Sequence, residues 1–443
     1  MNKRFLLLGI LLNFLGIHSM HAQEKNISNE ELLKRIEALE ADRLEAQKKK
    51  DWGVSFYGFV RSDYIFDSRQ NSYVRELNLN LYPLDEKLDA NGKDINGAGA
   101  SNFLAVTSRV GTKISGPKVW GAKVSAQIEA DFFGNTEINK SSSGSGSIGL
   151  LRVRHAFATL DWEKTSLTLG QTWYPSFITD VFPGVSGFNT GILFNPFGWA
   201  TQVKISQKLS PDLTFIASAY KDREFATSNA SGGFSNSAAL NSSVPNLHGQ
   251  LRYKKGNITA GIAAEYQSLK PVIESAGLKS GHKVNSSNYL AYFKFENKDI
   301  IAKAYGVTGG NLHHFVMIGG FAGYLEPNGQ ESYKASKTSA FWVDIASANP
   351  KVAPGVFFGY TQNNGVDQGY QNLYLRGTSG NRILDNVWRA SARVDIKQNK
   401  FSITPEIEYT AAKWGDTNAD AKAGNNLKTV GNFRGMVRVM YSF

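Results

Sequence analysis

The chain has 443 residues, no cysteine and a formal net charge of +11. This length allows either several soluble domains or one large closed sheet. The lack of cysteine excludes disulfide scaffolds, thiolate metal sites and cysteine nucleophiles. A charged content of 20% and a slightly negative mean hydropathy argue against helical membrane spans, whereas 12% aromatic residues and 43 glycines favour a membrane sheet.

The first 22 residues have the pattern of a secretory signal peptide. Lys3 and Arg4 precede an apolar stretch over residues 5–17, and Ala22 offers a small residue before a cleavage point. The apolar stretch is shorter than the roughly 20 residues that a membrane-spanning helix needs. We therefore expect residues 1–22 to be removed, which lowers the formal charge to +9 because Lys3 and Arg4 are lost.

Residues 23–50 are rich in Glu, Lys, Arg, Leu and Ala, and they predict a short helix. Leu32, Ile36 and Leu39 follow the alternating spacing of a heptad seam. Two heptads are too few to be stable alone. The helix therefore either forms a trimeric coiled coil or serves as a solvated spacer, and the seam favours the coiled coil.

Apolar and polar side chains alternate over residues 51–443, as in strands that separate two environments. Residues 120–132 are the clearest example. Their polar positions are Lys123, Ser125, Gln127, Glu129 and Asp131, and their apolar positions are Trp120, Ala122, Val124, Ala126, Ile128, Ala130 and Phe132. The last strand alternates in the same way and ends on Phe443, an ending that resembles the assembly signal of outer-membrane barrels.

Long polar connections alternate with tight turns, as in a transmembrane β-barrel. The long ones are expected over residues 135–147, 227–244 and 415–428, and tight turns over 255–257, 296–298 and 397–399. Dividing roughly 390 residues by about 25 for a strand and its connection gives on the order of sixteen antiparallel strands. A soluble β-sandwich is less consistent with the many arginines on one face and the terminal aromatic residue. Pro405 interrupts a strand pattern, and we expect a bulge there.

If the apolar faces meet lipid, a set of basic residues faces the lumen. These residues are Arg61, Arg109, Lys113, Lys123, Arg152, Arg154, Lys204, Arg252, Arg389, Arg393, Arg434 and Arg438. A positive lining stabilises anions in a narrow aqueous channel, and guanidinium groups can bind carboxylates in a bidentate manner. Alternatively, these are solvated positions that acids such as Asp63 and Glu129 neutralise. Little acid is apparent opposite Arg434 and Arg438, so we expect one positive wall.

Residues 173–197 are too apolar for an external loop and too interrupted by proline and glycine for a strand. The segment either folds into the barrel, where it narrows the pore with Asp180 as its one acid, or packs at a subunit interface.

No enzyme, cofactor or metal site emerges from the sequence. Residues 144–149 match a dinucleotide fingerprint but lie in a serine-rich turn without a following helix. His313 and His314 would point to opposite faces of a strand, without a further ligand at metal spacing. Neither catalysis nor nucleic-acid binding is expected.

Five motifs resemble those of the DcaP-like family of dicarboxylate-uptake porins. They are residues 57–63 (YGFVRSD), 107–111 (TSRVG), 129–134 (EADFFG), 152–157 (RVRHAF) and 169–173 (LGQTW). These motifs lie in the first half of the chain, and the second half is similar only in its alternation and its final Phe443.

The resemblance implies a sixteen-stranded, trimeric outer-membrane porin, with one pore in each barrel and the N-terminal helices associating in the periplasm. It also implies a preference for small anions such as dicarboxylates, with Arg61, Arg109, Arg152 and Arg154 as pore residues. The expected partners are outer-membrane lipid, small anionic solutes and two further copies of the chain. A weakly selective general porin and a plugged barrel with a surface-binding or structural role remain as alternatives.

Overall fold

The computed structural model describes most of the chain, namely residues 29–50, 52–73, 77–134, 149–188, 190–222, 227–228 and 234–443. The expected signal peptide (residues 1–22) and the expected long loop over residues 135–147 lie outside these ranges. The chain divides into two compact units, Met1–Trp52 and Gly53–Phe443. In the described parts of the chain, no helix is both long enough and apolar enough to cross a bilayer.

The first unit contains one helix in its described part, α1 (Asn29–Lys50). Acidic side chains in its first turn suit the positive end of the helix dipole. The predicted seam is solvent-exposed in the single chain, because Leu32, Ile36 and Leu39 retain 45%, 47% and 67% of their accessible surface. The predicted helix is confirmed, while its association into a coiled coil stays a prediction.

The second unit is a closed barrel. Sixteen antiparallel strands form it within the described residues, which confirms the predicted fold class. In chain order they are β1 (Gly53–Asp67), β2 (Ala100–Leu104, continued by Arg109–Val119), β3 (Ala122–Asp131), β4 (Arg152–Asp161), β5 (Thr165–Trp173), β6 (Trp199–Lys208), β7 (Leu213–Asp222), β8 (Asn246–Lys255), β9 (Ile258–Leu269), β10 (Val284–Glu296), β11 (Ile300–Gly310), β12 (Lys337–Ser347), β13 (Val352–Gly365), β14 (Arg382–Gln398), β15 (Phe401–Asp416) and β16 (Lys428–Ser442).

The barrel closes between its first and last strands. β1 pairs with β16, where Asp67 lies opposite Arg434, and on its other side with both parts of β2. The Phe443 amide donates to the Gly58 carbonyl at 3.1 Å. Closure pairs every strand on both sides, so the sheet has no open edge.

The two faces of the barrel differ as the alternation predicts. On β16, Phe433 and Tyr441 are exposed on the outer face, whereas Arg434 is buried on the inner face. The bulge expected at Pro405 is wrong, since Pro405 stays in register with Val437 on the neighbouring strand. The register with β14 is also the same on both sides of Pro405, at Ile403 and Glu406, although the pairs at Thr404 and Pro405 are interrupted there.

Tight turns join neighbouring strands at one end of the barrel, and longer connections join them at the other. We call these the short-turn end and the long-loop end. The described parts of the long connections contain a short helix (Ser237–Leu240), two 3₁₀ helices (Ile95–Gly97 and Leu312–Phe315), three small hairpins (Asn71–Tyr73 with Asn80–Pro83, Thr227–Ser228 with Phe234–Ser235, and Glu274–Ser275 with Leu278–Lys279), a two-residue strand (Thr378–Ser379) and a three-stranded sheet (Gly319–Leu325, Glu331–Ala335 and Asn372–Arg376). His313 and His314 lie in a 3₁₀ helix, so their expected placement on a strand is wrong.

The closing seam gives a test of the register. A Cβ atom at Gly58 would lie 2.3 Å from the Arg109 carbonyl oxygen and 2.7 Å from the Phe443 ring. We expect Gly58→Val to destabilise the barrel by about 1–3 kcal/mol, because the added methyl groups have no space. The measurement is gel electrophoresis of refolded protein without prior heating. It gives the fraction of protein that migrates at the faster mobility of the folded, closed barrel.

Gly435→Val is the matched control, since no heavy atom lies within 4 Å of a Cβ atom at Gly435. This variant should fold like the wild type. Equal yields for the two variants would contradict the closing register.

Candidate functional site

Residues 174–198 connect β5 and β6, and we call them the inserted segment. Phe177, Phe194 and Phe197 of this segment are 4% exposed or less. They belong to an apolar cluster that also contains inward-facing side chains of the barrel wall, such as Trp342 and Val387. The segment is therefore packed against the barrel's own inner face.

Polar contacts tie the inserted segment to strands β1, β11, β12 and β14, none of which is a neighbour of β5 or β6 in the barrel. From β11 and β12, Lys303 Nζ donates to the Phe182 carbonyl and Trp342 Nε1 to Asn195 Oδ1, each at 3.0 Å. Two arginines on other strands also bind it. Arg61 on β1 donates to the Ser186 carbonyl at 2.9 Å, and Arg389 on β14 donates to the Ile192 carbonyl at 3.1 Å. β14 lies across the sixteen-stranded ring from β5 and β6, so a segment that begins at β5 and reaches Arg389 on β14 must cross the lumen.

A close approach explains one glycine in the segment. A Cβ atom at Gly184 would lie 2.3 Å from Arg393 Nη2. Arg393 is itself bound to Asp344 at 2.8 Å. A larger residue at position 184 would therefore displace a guanidinium group that is already paired.

The predicted lumen arginines are paired with carboxylates. The pairs are Arg61 with Asp63, Arg109 with Glu129, Arg152 with Asp131, Arg154 with Glu129 and Asp131, Arg252 with Asp180, Arg389 with Glu408, Arg393 with Asp344, Arg434 with Asp67 and Arg438 with Asp395. Lys113 instead lies over the Tyr57 ring, with Nζ 5.3 Å from its centroid.

The expected positive wall near the closing seam is wrong. Arg434 lies 2.7 Å from Asp67 and Arg438 lies 2.9 Å from Asp395. The first pair joins residues that face each other across the β1–β16 ladder. Arg434 and Asp67 are 367 residues apart in the chain, so the local sequence pattern around Arg434 does not reveal its carboxylate partner.

Most of these paired arginines are too buried to meet a solute. Arg154 is 1% exposed, lies between Glu129 and Asp131, and stacks over Trp199 at 4.3 Å. A buried and fully paired guanidinium positions its neighbours, but it adds little net charge to the lumen.

A second group of cations remains solvent-accessible near the short-turn end. We call it the cationic patch, and it consists of Lys204, Arg252, Lys254, Lys294 and Lys303 on β6, β8, β10 and β11. The sequence analysis names Lys204 and Arg252 but misses the other three. Lys294 and Lys303 could have been found as single lysines between apolar neighbours, as in Phe293, Lys294 and Phe295, whereas Lys254 is followed by Lys255 and lacks this pattern.

The inserted segment places Asp180 against this patch. Asp180 Oδ2 lies 3.7 Å from Arg252 Nη1 and 4.0 Å from Lys254 Nζ. The Asp180 side chain is 37% exposed, so water and ions can reach the pair. Asp180 and Arg252, together with Lys204 and Trp173, line a cavity of about 110 Å³. The arrangement can bind a small anion in place of the Asp180 carboxylate.

Within the described ranges, no three His, Asp or Glu side chains are grouped as metal ligands would be. No family model and no curated protein matches the sequence.

Solved structures do match. The outer membrane channel DcaP of Acinetobacter baumannii is 19% identical, with a TM-score of 0.61 over 89% of this chain and 98% of that chain. The anion-selective porin from Comamonas acidovorans is 12% identical, with a TM-score of 0.52 over 88% of this chain and 100% of that one. Salmonella typhi OmpF is 11% identical, with a TM-score of 0.51 over 89% and 99%. The chain thus has the β-barrel fold of these outer-membrane channels and porins.

Proposed function

We propose that this chain is an outer-membrane porin for passive diffusion of small, preferentially anionic solutes, including dicarboxylates. The observation that carries the proposal is the cationic patch, where five basic side chains face the lumen and Asp180 opposes Arg252 and Lys254. The fold supports it, because barrels of this size enclose an aqueous lumen.

Physical chemistry favours anions at this position. Lys204 has no carboxylate partner among the described residues, and Lys254 is 62% exposed. The patch has five cations against two nearby carboxylates, Asp180 beside Arg252 and Lys254, and Glu296 beside Lys294. This excess of positive charge beside a low-dielectric wall raises the local concentration of anions. Guanidinium and ammonium groups can replace part of the hydration shell of a carboxylate, while the remaining water keeps the binding weak enough for release.

The same proposal includes location and assembly. Short turns of bacterial barrels face the periplasm. β1 begins at the short-turn end, so we place the preceding segment with α1 in the periplasm. The exposed seam of Leu32, Ile36 and Leu39 supports a trimer through a coiled coil.

A barrel without transport function is the second candidate. The apolar cluster that fills much of the lumen, including Phe194, Phe315 and Met317, favours it. A surface-binding or structural protein could tolerate a closed lumen, whereas a porin could not. Current through a lipid bilayer distinguishes the two, and current without ion preference would indicate a general porin.

The first prediction concerns the cationic patch. We expect the Lys204→Gln, Arg252→Gln double variant to lower the anion-to-cation permeability ratio roughly fivefold, equivalent to about 1 kcal/mol, because two lumen charges are lost. The measurement is the reversal potential of single channels in a planar bilayer under a potassium chloride gradient.

Lys279→Gln is the control, since it removes a positive charge from an exposed hairpin outside the barrel wall. It should keep the wild-type reversal potential. An unchanged reversal potential in the double variant would contradict a role of the cationic patch in ion selectivity.

The second prediction concerns Asp180. Asp180→Asn should raise the anion preference, because the neutral amide cannot offset the positive charges of Arg252 and Lys254 as the carboxylate does. Reversal potentials check the direction, and Asp367→Asn on an external loop serves as the charge-matched control. A shift of Asp180→Asn toward cations would contradict the proposed orientation of the segment.

A further inference from the structure

A second stretch of chain is buried with the inserted segment. Residues 311–318 follow β11, and we call them the second segment. Leu312, Phe315 and Met317 have no exposed surface. Val316 has a φ of 63°. A β-branched residue rarely adopts this conformation, so surrounding contacts must hold it. The Phe197 amide donates to the Phe315 carbonyl at 3.1 Å, which joins the two segments directly.

Glu265 on β9 connects the same two segments through its side chain. Ser176 Oγ of the inserted segment donates to Glu265 Oε2 at 2.7 Å. His314 Nε2 of the second segment lies 3.5 Å from Glu265 Oε1, and His248 Nδ1 on β8 lies 3.4 Å from Glu265 Oε2. The side chains of all three titratable residues are at most 1% exposed. We call this group of Glu265, His248 and His314 the clasp.

The surroundings of His314 favour its protonated form. Its Nδ1 lies 3.1 Å from the Asn311 carbonyl, and its Nε2 faces Glu265. Both ring nitrogens therefore face oxygen acceptors, and only the imidazolium can donate to both. Loss of the proton would leave one nitrogen without a hydrogen for its acceptor and Glu265 with less compensation for its buried charge.

Other charged and titratable groups pack around the clasp. Asp222 accepts from Asn246 and Gln267 at 2.9 Å, and Gln267 in turn accepts from Asn311 at 2.7 Å. Asp222 adds negative charge, which further favours a cation at His314. His313 lies beside His314 on the same 3₁₀ helix and is a further buried titratable residue of the second segment. Other neighbours are Tyr174, Tyr220 and Tyr305, with Lys221 and Arg376 bound to backbone carbonyls.

We propose that the clasp is a proton-dependent latch that holds both segments across the lumen and releases the second segment when His314 loses its proton. Deprotonation leaves the carboxylates of Glu265 and Asp222 buried with less opposing charge. The second segment then moves to admit water, and the strained backbone at Val316 relaxes with it. As regulation of the pore, this inference rests on the proposed function; as a conformational change, it does not.

The test records single-channel conductance from about pH 5 to about pH 9, which covers the range of roughly pH 5 to 8 in which histidine ordinarily titrates. The wild-type conductance should rise about twofold or more across this range. Glu265→Gln should stay at the low level, because the amide forms neutral hydrogen bonds at every pH. His314→Asn should stay at the high level, because it cannot become a cation.

His282→Asn is the matched control, since it removes a histidine from a loop outside the clasp. This variant should keep the wild-type rise. A flat wild-type profile, or a rise that persists in His314→Asn, would overturn the proposal.

A second measurement is independent of current. Hydrogen–deuterium exchange of residues 311–318, corrected for the intrinsic effect of pH, should increase with pH in the wild type but not in Glu265→Gln. Absence of current together with this increase would contradict the porin proposal alone. Exchange that does not depend on pH would contradict the latch, whether or not current flows.

Discussion

Neutralisation of charge inside the barrel is the constraint on which the rest of the structure depends. The inner face carries many arginines, and each buried guanidinium needs a carboxylate or carbonyl partner to remain stable there. Arg61 and Arg389 each have both kinds of partner. They bind Asp63 and Glu408 on the wall, and they donate to carbonyls of the inserted segment. The same interaction thus stabilises the wall and fixes the chain that crosses the lumen.

This constraint separates two kinds of basic residue that look alike in the sequence. Arginines within carboxylate pairs are part of the structure of the inner wall, and Arg154 and Arg389, each 1% exposed, are the most buried of them. Cations without a carboxylate partner among the described residues, such as Lys204 and Lys303, lie near the short-turn end and retain contact with solvent. In the proposed function, selectivity belongs to this second group. The inserted segment connects the two, because arginine pairs hold it in place and it presents Asp180 to the patch.

Local patterns predict the local features of this fold well. Alternation identifies the strands and their inner faces, and the heptad spacing identifies α1. Pairing partners are set by distant strands, so Asp67 beside Arg434 is invisible in the linear sequence. The second segment is missed for a related reason. His313 and His314 are expected on a strand, whereas Glu265 and Arg376 from elsewhere in the chain stabilise them in a 3₁₀ helix.

The central claim is that small anions cross this barrel by diffusion despite the two segments that occupy its lumen. The most direct test measures influx of a small dicarboxylate and of a neutral solute of equal size into proteoliposomes that contain the folded, unmodified protein. The account predicts passive influx of both solutes, with faster entry of the dicarboxylate at low salt and a smaller difference at high salt, because mobile ions screen the patch. No influx of either solute into vesicles with correctly folded barrels would contradict it.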